Sequence, residues 1–171
     1  MQGFRTFLIQ MELMDKSAVY DACVKQLSEQ IAEAMKATQD AQESVFSNSK
    51  SSAGDKHETG RAMAQIELEK LSNNLLQSKQ VLSALQQVKK GKSDVVERGA
   101  LCETDLACLY VAVSLGMISI GGKSVFCLSP AAPLAQAMLG LIVGESFEIN
   151  GKKQTIKAIY WATSSSPVFS R

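Results

Sequence analysis

The chain has 171 residues, with 18 basic against 17 acidic side chains and a formal net charge of +1. That length allows one ordinary domain or two small ones. The balanced charge excludes the basic excess that grips duplex nucleic acid, so free DNA is not expected as a partner and a protein is. A hydrophobic share of 46% is that of a folded chain.

The opening, Met1 to Gln10, is too short and too broken for a signal peptide or a membrane span, and no function is assigned to it. From Leu13 to Phe46 the small and apolar residues Tyr20, Leu27, Ile31, Ala34, Thr38, Ala41 and Val45 recur at helical spacing, with Cys23, Val24 and Met35 flanking them. The next segment, Ser47 to Gly54, is full of turn formers and reads as a short connection. After it, Ala64, Leu68, Leu71, Leu75, Ser78, Leu82 and Leu85 alternate steps of four and three, a heptad seam in which Ser78 is the polar member and which Val88 extends. Two stripes of similar length joined by a short loop predict an antiparallel hairpin, each arm on the order of 45–50 Å long.

At the start of the second helix stands Gly54-Asp55-Lys56-His57-Glu58. Two carboxylates three residues apart at a helix N-terminus fit two roles. They resemble a capping box, with Asp55 as cap and Glu58 facing the helix dipole. Carried at the tip of a hairpin, they also suit a hard cation, which takes oxygen ligands. His57 alone is the ordinary solvated histidine of a helix start.

Beyond Lys89-Lys90-Gly91-Lys92 the composition turns rich in Val, Ile, Leu, Gly and Cys, and all three prolines lie there, so two units are expected, at 12–90 and 95–165. Strands are predicted at Ala107–Val113, Met117–Ile120 and Ser124–Leu128, and a short helix over Pro133–Gly140 with proline early and glycine at its stop. Strands at Glu145–Ile149 and Gln154–Tyr160 flank the hairpin signal Asn150-Gly151. The apolar run Leu109 to Ile120 is too short to cross a bilayer. The fold class is therefore α+β: an N-terminal antiparallel helical hairpin and a small antiparallel sheet domain with one short helix. The four cysteines, Cys23, Cys102, Cys108 and Cys127, lack zinc-ligand spacing and read as reduced, mostly buried thiols; nothing around the Cys102/Cys108 pair supports a redox role. No nucleophile triad, phosphate loop or metal cluster is visible in the second half.

Two stretches resemble the Gre transcript-cleavage factor family. Gly54-Asp55-Lys56-His57-Glu58 is similar to the family's tip motif G-D-L-S-E-N. Pro133-Leu134-Ala135-Gln136-Ala137-Met138-Leu139-Gly140, followed by Val143-Gly144-Glu145, resembles its S-P-L-G-R-A-L-L-G and V-G-D. The resemblance runs from about residue 12 to 162. It implies an FKBP-like second domain that docks on bacterial RNA polymerase beside the secondary channel, and a hairpin that enters the channel. There Asp55 and Glu58 would help polymerase hold a second catalytic Mg²⁺ for hydrolysis of backtracked RNA, half of one metal site being supplied in trans. The chain would then be a cytoplasmic elongation factor and not itself an enzyme. It would bind no cofactor stably beyond the Mg²⁺ it shares, meet nascent RNA only within polymerase, and have no membrane partner.

The sequence departs from the family where the chemistry sits. Lys56-His57 replaces Leu-Ser between the acids, Thr59 replaces Asn, and Gly60-Arg61-Ala62 replaces Ala-Glu-Tyr. The added positive charge weakens a cation site by about 1 kcal/mol at an effective surface dielectric. Glu97 to Cys108 matches the family's first sheet strands only loosely. Two alternatives stand beside the cleavage factor: a channel-binding regulator of polymerase without cleavage, and a coiled-coil adaptor for other proteins.

Overall fold

The computed structural model describes residues 16–49, 55–88, 93–160 and 168–169. Two long helices come first, α1 (Lys16–Ser49) and α2 (Asp55–Gln86). They are followed by β1 (Leu101–Thr104), β2 (Cys108–Val111), β3 (Gly116–Ile120), β4 (Lys123–Leu128), α3 (Pro133–Met138), β5 (Ser146–Ile149), β6 (Lys152–Tyr160) and β7 (Val168–Phe169). This is the expected fold class, long helices and then a small sheet domain carrying one short helix. No helix among the described residues is long and apolar enough to cross a membrane. The chain divides into two compact units, Val24–Gln86 and a second made of Met1–Cys23 with Gln87–Arg171.

The first unit is the helical hairpin. Among its half-buried and buried positions are Leu27, Ile31, Ala34, Thr38, Ala41 and Val45 on α1, and Ala64, Leu68, Leu71, Leu75, Ser78, Leu82 and Leu85 on α2. These are the stripes set by the 3.6-residue period, so burial follows the heptads. Both polar seam members find partners on their own helix: Thr38 Oγ1 donates to Ala34 O at 2.7 Å and Ser78 Oγ to Asn74 O at 3.0 Å. A hydroxyl turned back on the preceding turn can sit in an apolar seam without an unmet hydrogen bond. One boundary differs from expectation. α1 runs through Ser47, Asn48 and Ser49 into the predicted connection, and Ser47 Oγ donates to Ser44 O at 3.0 Å, so the serine prolongs the last turn instead of breaking it. The rest of that connection, 50–54, lies outside the described residues, as does the lysine cluster at 89–92.

The second unit is a seven-stranded sheet in the order β3-β4-β2-β1-β6-β5, with β7 added against β6. All neighbours are antiparallel except β2 and β4, which run parallel with Leu109 opposite Phe126 and Tyr110 opposite Cys127. β1 was not expected from the sequence. Its four residues pair with β2 on one side and β6 on the other. The β5–β6 hairpin turns at Asn150 (φ 52°) and Gly151 (φ 72°), the two left-handed positions of a type I′ turn. α3 starts at Pro133, where the missing N–H is no loss, and the chain leaves it through Gly140 at φ 86°.

Because cross-strand partners share a face, the register sorts the side chains. One face carries the row Met117, Phe126, Leu109, Cys102 and Ile159. With Val96, Val111, Leu128 and Ile156 much of this row forms the main core beneath Ala135 and Met138 of α3. The opposite face carries Ile118, Val125, Cys108, Glu103 and Ala158, and beside them Cys127, Tyr110, Leu101 and Tyr160. Cys23, on the first turns of α1, reaches this face, its Sγ 3.6 Å from Cys127 Sγ, and Val19 and Cys23 are both fully buried. Cys102 and Cys108 therefore lie on opposite faces of the sheet.

Candidate functional site

The hairpin brings the C-terminus of α1 and the N-terminus of α2 to one end of its unit, since five residues separate them. Asp55 opens α2 and Glu58 follows in its first turn, where it is exposed. The side chains of Asp55, Lys56 and His57 lie outside the described residues. Positions i and i+3 of a helix share a face, and a helix N-terminus favours negative charge there. Glu58 stands on the order of 40 Å along α2 from the Gln86 end, at 1.5 Å per residue. The site so assembled is a pair of carboxyl-bearing positions at the far end of a narrow helical unit.

Such a pair could contribute to a metal site. Mg²⁺ keeps several waters and takes one or two carboxylates from a protein, so the donor set fits that cation only as a contributed half. Among the described residues no group of three or more His, Cys, Asp and Glu is arranged to hold a metal ion.

The rest of the hairpin surface carries several exposed apolar side chains. Met35 is 51% exposed, Met63 64%, Ile66 60% and Leu76 56%, and Phe46, near the end of α1, is 70% exposed. Met35, Gln39, Phe46 and Leu75 line an open groove along it. The charged side chains add little rigidity. Lys25 and Glu29 approach to 4.0 Å but are both well exposed, which places the pair among those worth next to nothing.

No protein-family model matches the chain. No curated protein matches it either. Among solved structures it is similar to the transcription factor Gfh1, with 18% identity over 82% of this chain and 92% of that one and a TM-score of 0.35. It is also similar to GreA factor homolog 1 (Gfh1) of Thermus thermophilus, with 16% identity over 80% and 94% of the two chains and a TM-score of 0.31. For Gfh1 of Thermus aquaticus the figures are 19%, 82% and 95%, with a TM-score of 0.33. These superpositions are loose over the whole chain and assign no role to any residue.

The sheet unit holds what spacing did not suggest. Cys23 and Cys127, 104 positions apart, bring their sulfurs together in a buried place. Tyr110, cross-strand partner of Cys127, is fully buried and its hydroxyl has no hydrogen-bond partner among the described residues. Burial, and the thiols of Cys23 and Cys127 beside it, push the phenol well above its ordinary range. The sulfur of Cys23 and burial likewise push Cys127 far up. Nothing in local sequence marks this cluster; only the β2/β4 pairing and the packing of α1 assemble it.

Proposed function

We propose that this chain is a Gre-type elongation factor. In this reading it binds RNA polymerase, places the α1–α2 end in the secondary channel and stimulates cleavage of backtracked RNA. The supporting observation is the position of Asp55 and Glu58 in the first turn of α2, at the end of a long two-helix unit and with Glu58 exposed. Asp55 and Glu58 would hold one side of a Mg²⁺ that polymerase binds from the other. When bound, that ion supplies Lewis-acid polarisation of the phosphodiester and an activated water. The chain's own residues do the rest: the two carboxylates orient the hydrated cation, and the paired seams of α1 and α2 hold them at the end of the hairpin. The factor is not an enzyme by itself, binds no cofactor stably, acts in the cytoplasm and meets RNA only within polymerase.

The second reading is a channel-binding regulator without cleavage. Lys56 and His57 between the acids favour it, since adjacent positive charge opposes a second cation. One assay separates the two. Halted, backtracked polymerase complexes are incubated with the wild type and with Asp55→Ala/Glu58→Ala, and RNA length is read on a gel. Shortened RNA with the wild type, lost by more than tenfold in the variant while polymerase binding persists, is expected. Full activity in the variant would sink the metal-assisting role. No cleavage with either protein, together with altered transcription, would establish the non-cleaving regulator.

A further inference from the structure

We propose that Cys23 and Cys127 are a disulfide-forming pair that, on oxidation by a peroxide, covalently joins the first turns of α1 to strand β4. The sulfurs are 3.6 Å apart, and a bond requires them to close to about 2.05 Å. Both side chains are buried, at 0% and 1% exposure, on the face of the sheet that the α1 turns cover. Cys23 is also the last α1 residue that belongs to the sheet unit, Val24 being the first of the hairpin unit. This inference stands apart from the polymerase reading.

The chemistry balances with hydrogen peroxide, an oxidant small enough for a buried site. One thiolate attacks a peroxide oxygen, the O–O bond breaks, and the products are a sulfenic acid and, with the thiol's proton, one water. The second sulfur attacks the sulfenic sulfur, the S–S bond forms, and hydroxide leaves with the second thiol's proton as another water. Two thiols are oxidised and one peroxide is reduced to two waters. Cys102 and Cys108 do not compete for each other, because they lie on opposite faces.

The test treats the full-length reduced protein with hydrogen peroxide, then counts free thiols and maps peptides without reduction. Two of the four thiols should be lost, with a single linked peptide pair containing Cys23 and Cys127. The loss should be slow in buffer and faster in mild denaturant, since the sulfurs meet oxidant only when the α1 turns open. The oxidised monomer should melt roughly 10 °C higher than the reduced one, as expected for a link that closes so long a loop. A Cys102→Ala/Cys108→Ala variant should form the same link and Cys23→Ala should not. Should Cys23→Ala fail to fold, the wild-type peptide map decides alone. Linked peptides containing Cys102 or Cys108, intermolecular dimers, or stepwise oxygen addition without a cross-link would each overturn the proposal.

Discussion

The two units bury their apolar side chains in different ways. In the sheet unit Leu101, Cys102, Tyr110, Val111, Val125 and Ile156 are all fully buried, because side chains leave both faces of the sheet and both faces are covered. In the hairpin most seam positions are only half-buried, and the fully enclosed apolar side chains are Leu27 and Leu85, at the end remote from Asp55. A two-helix pair has one seam and no second layer, so most of its seam residues keep an edge in water. Toward Asp55 and Glu58 the hairpin is thus the thinner structure, while Met63, Ile66 and Leu76 lie open on it.

The largest expected break of this contrast is a core truncation. Leu109 is 2% exposed in the main core, and Leu109→Ala should cost about 3 kcal/mol, lowering the sheet transition by roughly 15 °C. The same change at half-buried Leu71 should cost about 1 kcal/mol. Near-ultraviolet dichroism of the buried tyrosines reports the first and the far-ultraviolet helix signal the second. Equal losses at the two sites would show that the seam is as tightly enclosed as the sheet core.

Alkaline pH should divide the units next. Burial pushes Cys102 up to about 12 and Cys108, helped by the Glu103 carboxylate, up to about 11. An unfolded thiol titrates near 8.5, so the folded state holds its protons more tightly. That contribution is complete below about pH 8.5 and is lost as pH rises through the folded values, on the order of 2 kcal/mol by pH 10 for Cys102. No cysteine or tyrosine lies within Val24–Gln86. Between pH 7 and pH 10 the tyrosine-reported transition should therefore fall while the helical one holds. Parallel falls would mean that the units unfold as one.

Local periodicity and turn chemistry carried most of the fold. The stripes of α1 and α2 follow from apolar spacing, α3 from Pro133 and Gly140, and the β5–β6 hairpin from Asn150-Gly151. What escaped depends on distant partners. β1 is Leu-Cys-Glu-Thr, too short and mixed to show a period, and it is a strand because β2 and β6 flank it. The turn after it is held from fifty residues away: Thr104 Oγ1 lies 3.1 Å from Gln154 Oε1, and Asp105 Oδ1 accepts the Thr155 N–H at 2.7 Å. The parallel β2/β4 pairing and the Cys23/Cys127 contact are equally non-local. Of the candidate site, Glu58 is found exposed in the first turn of α2 and Asp55 at its opening, which helix-start chemistry could indicate.

The smallest effect sharpens the comparison most. Ser78 interrupts an otherwise apolar seam, and its hydroxyl is spent on Asn74 O, a carbonyl that also accepts the helical N–H one turn on. Ser78→Leu would leave no buried group unsatisfied and would add apolar surface to a half-buried position, a gain of about 1 kcal/mol. The helical transition should rise by a few degrees and the tyrosine-reported one should stay. A polar residue at such a position lowers stability while fixing register, which is the expected compromise if the alignment of α1 and α2 sets where Asp55 and Glu58 stand. A variant that melts higher but loses tip-dependent activity would place Ser78 in that role. One that melts lower would mean the seam at that level has no room for a larger side chain, and that the hairpin is packed more closely there than its exposure suggests.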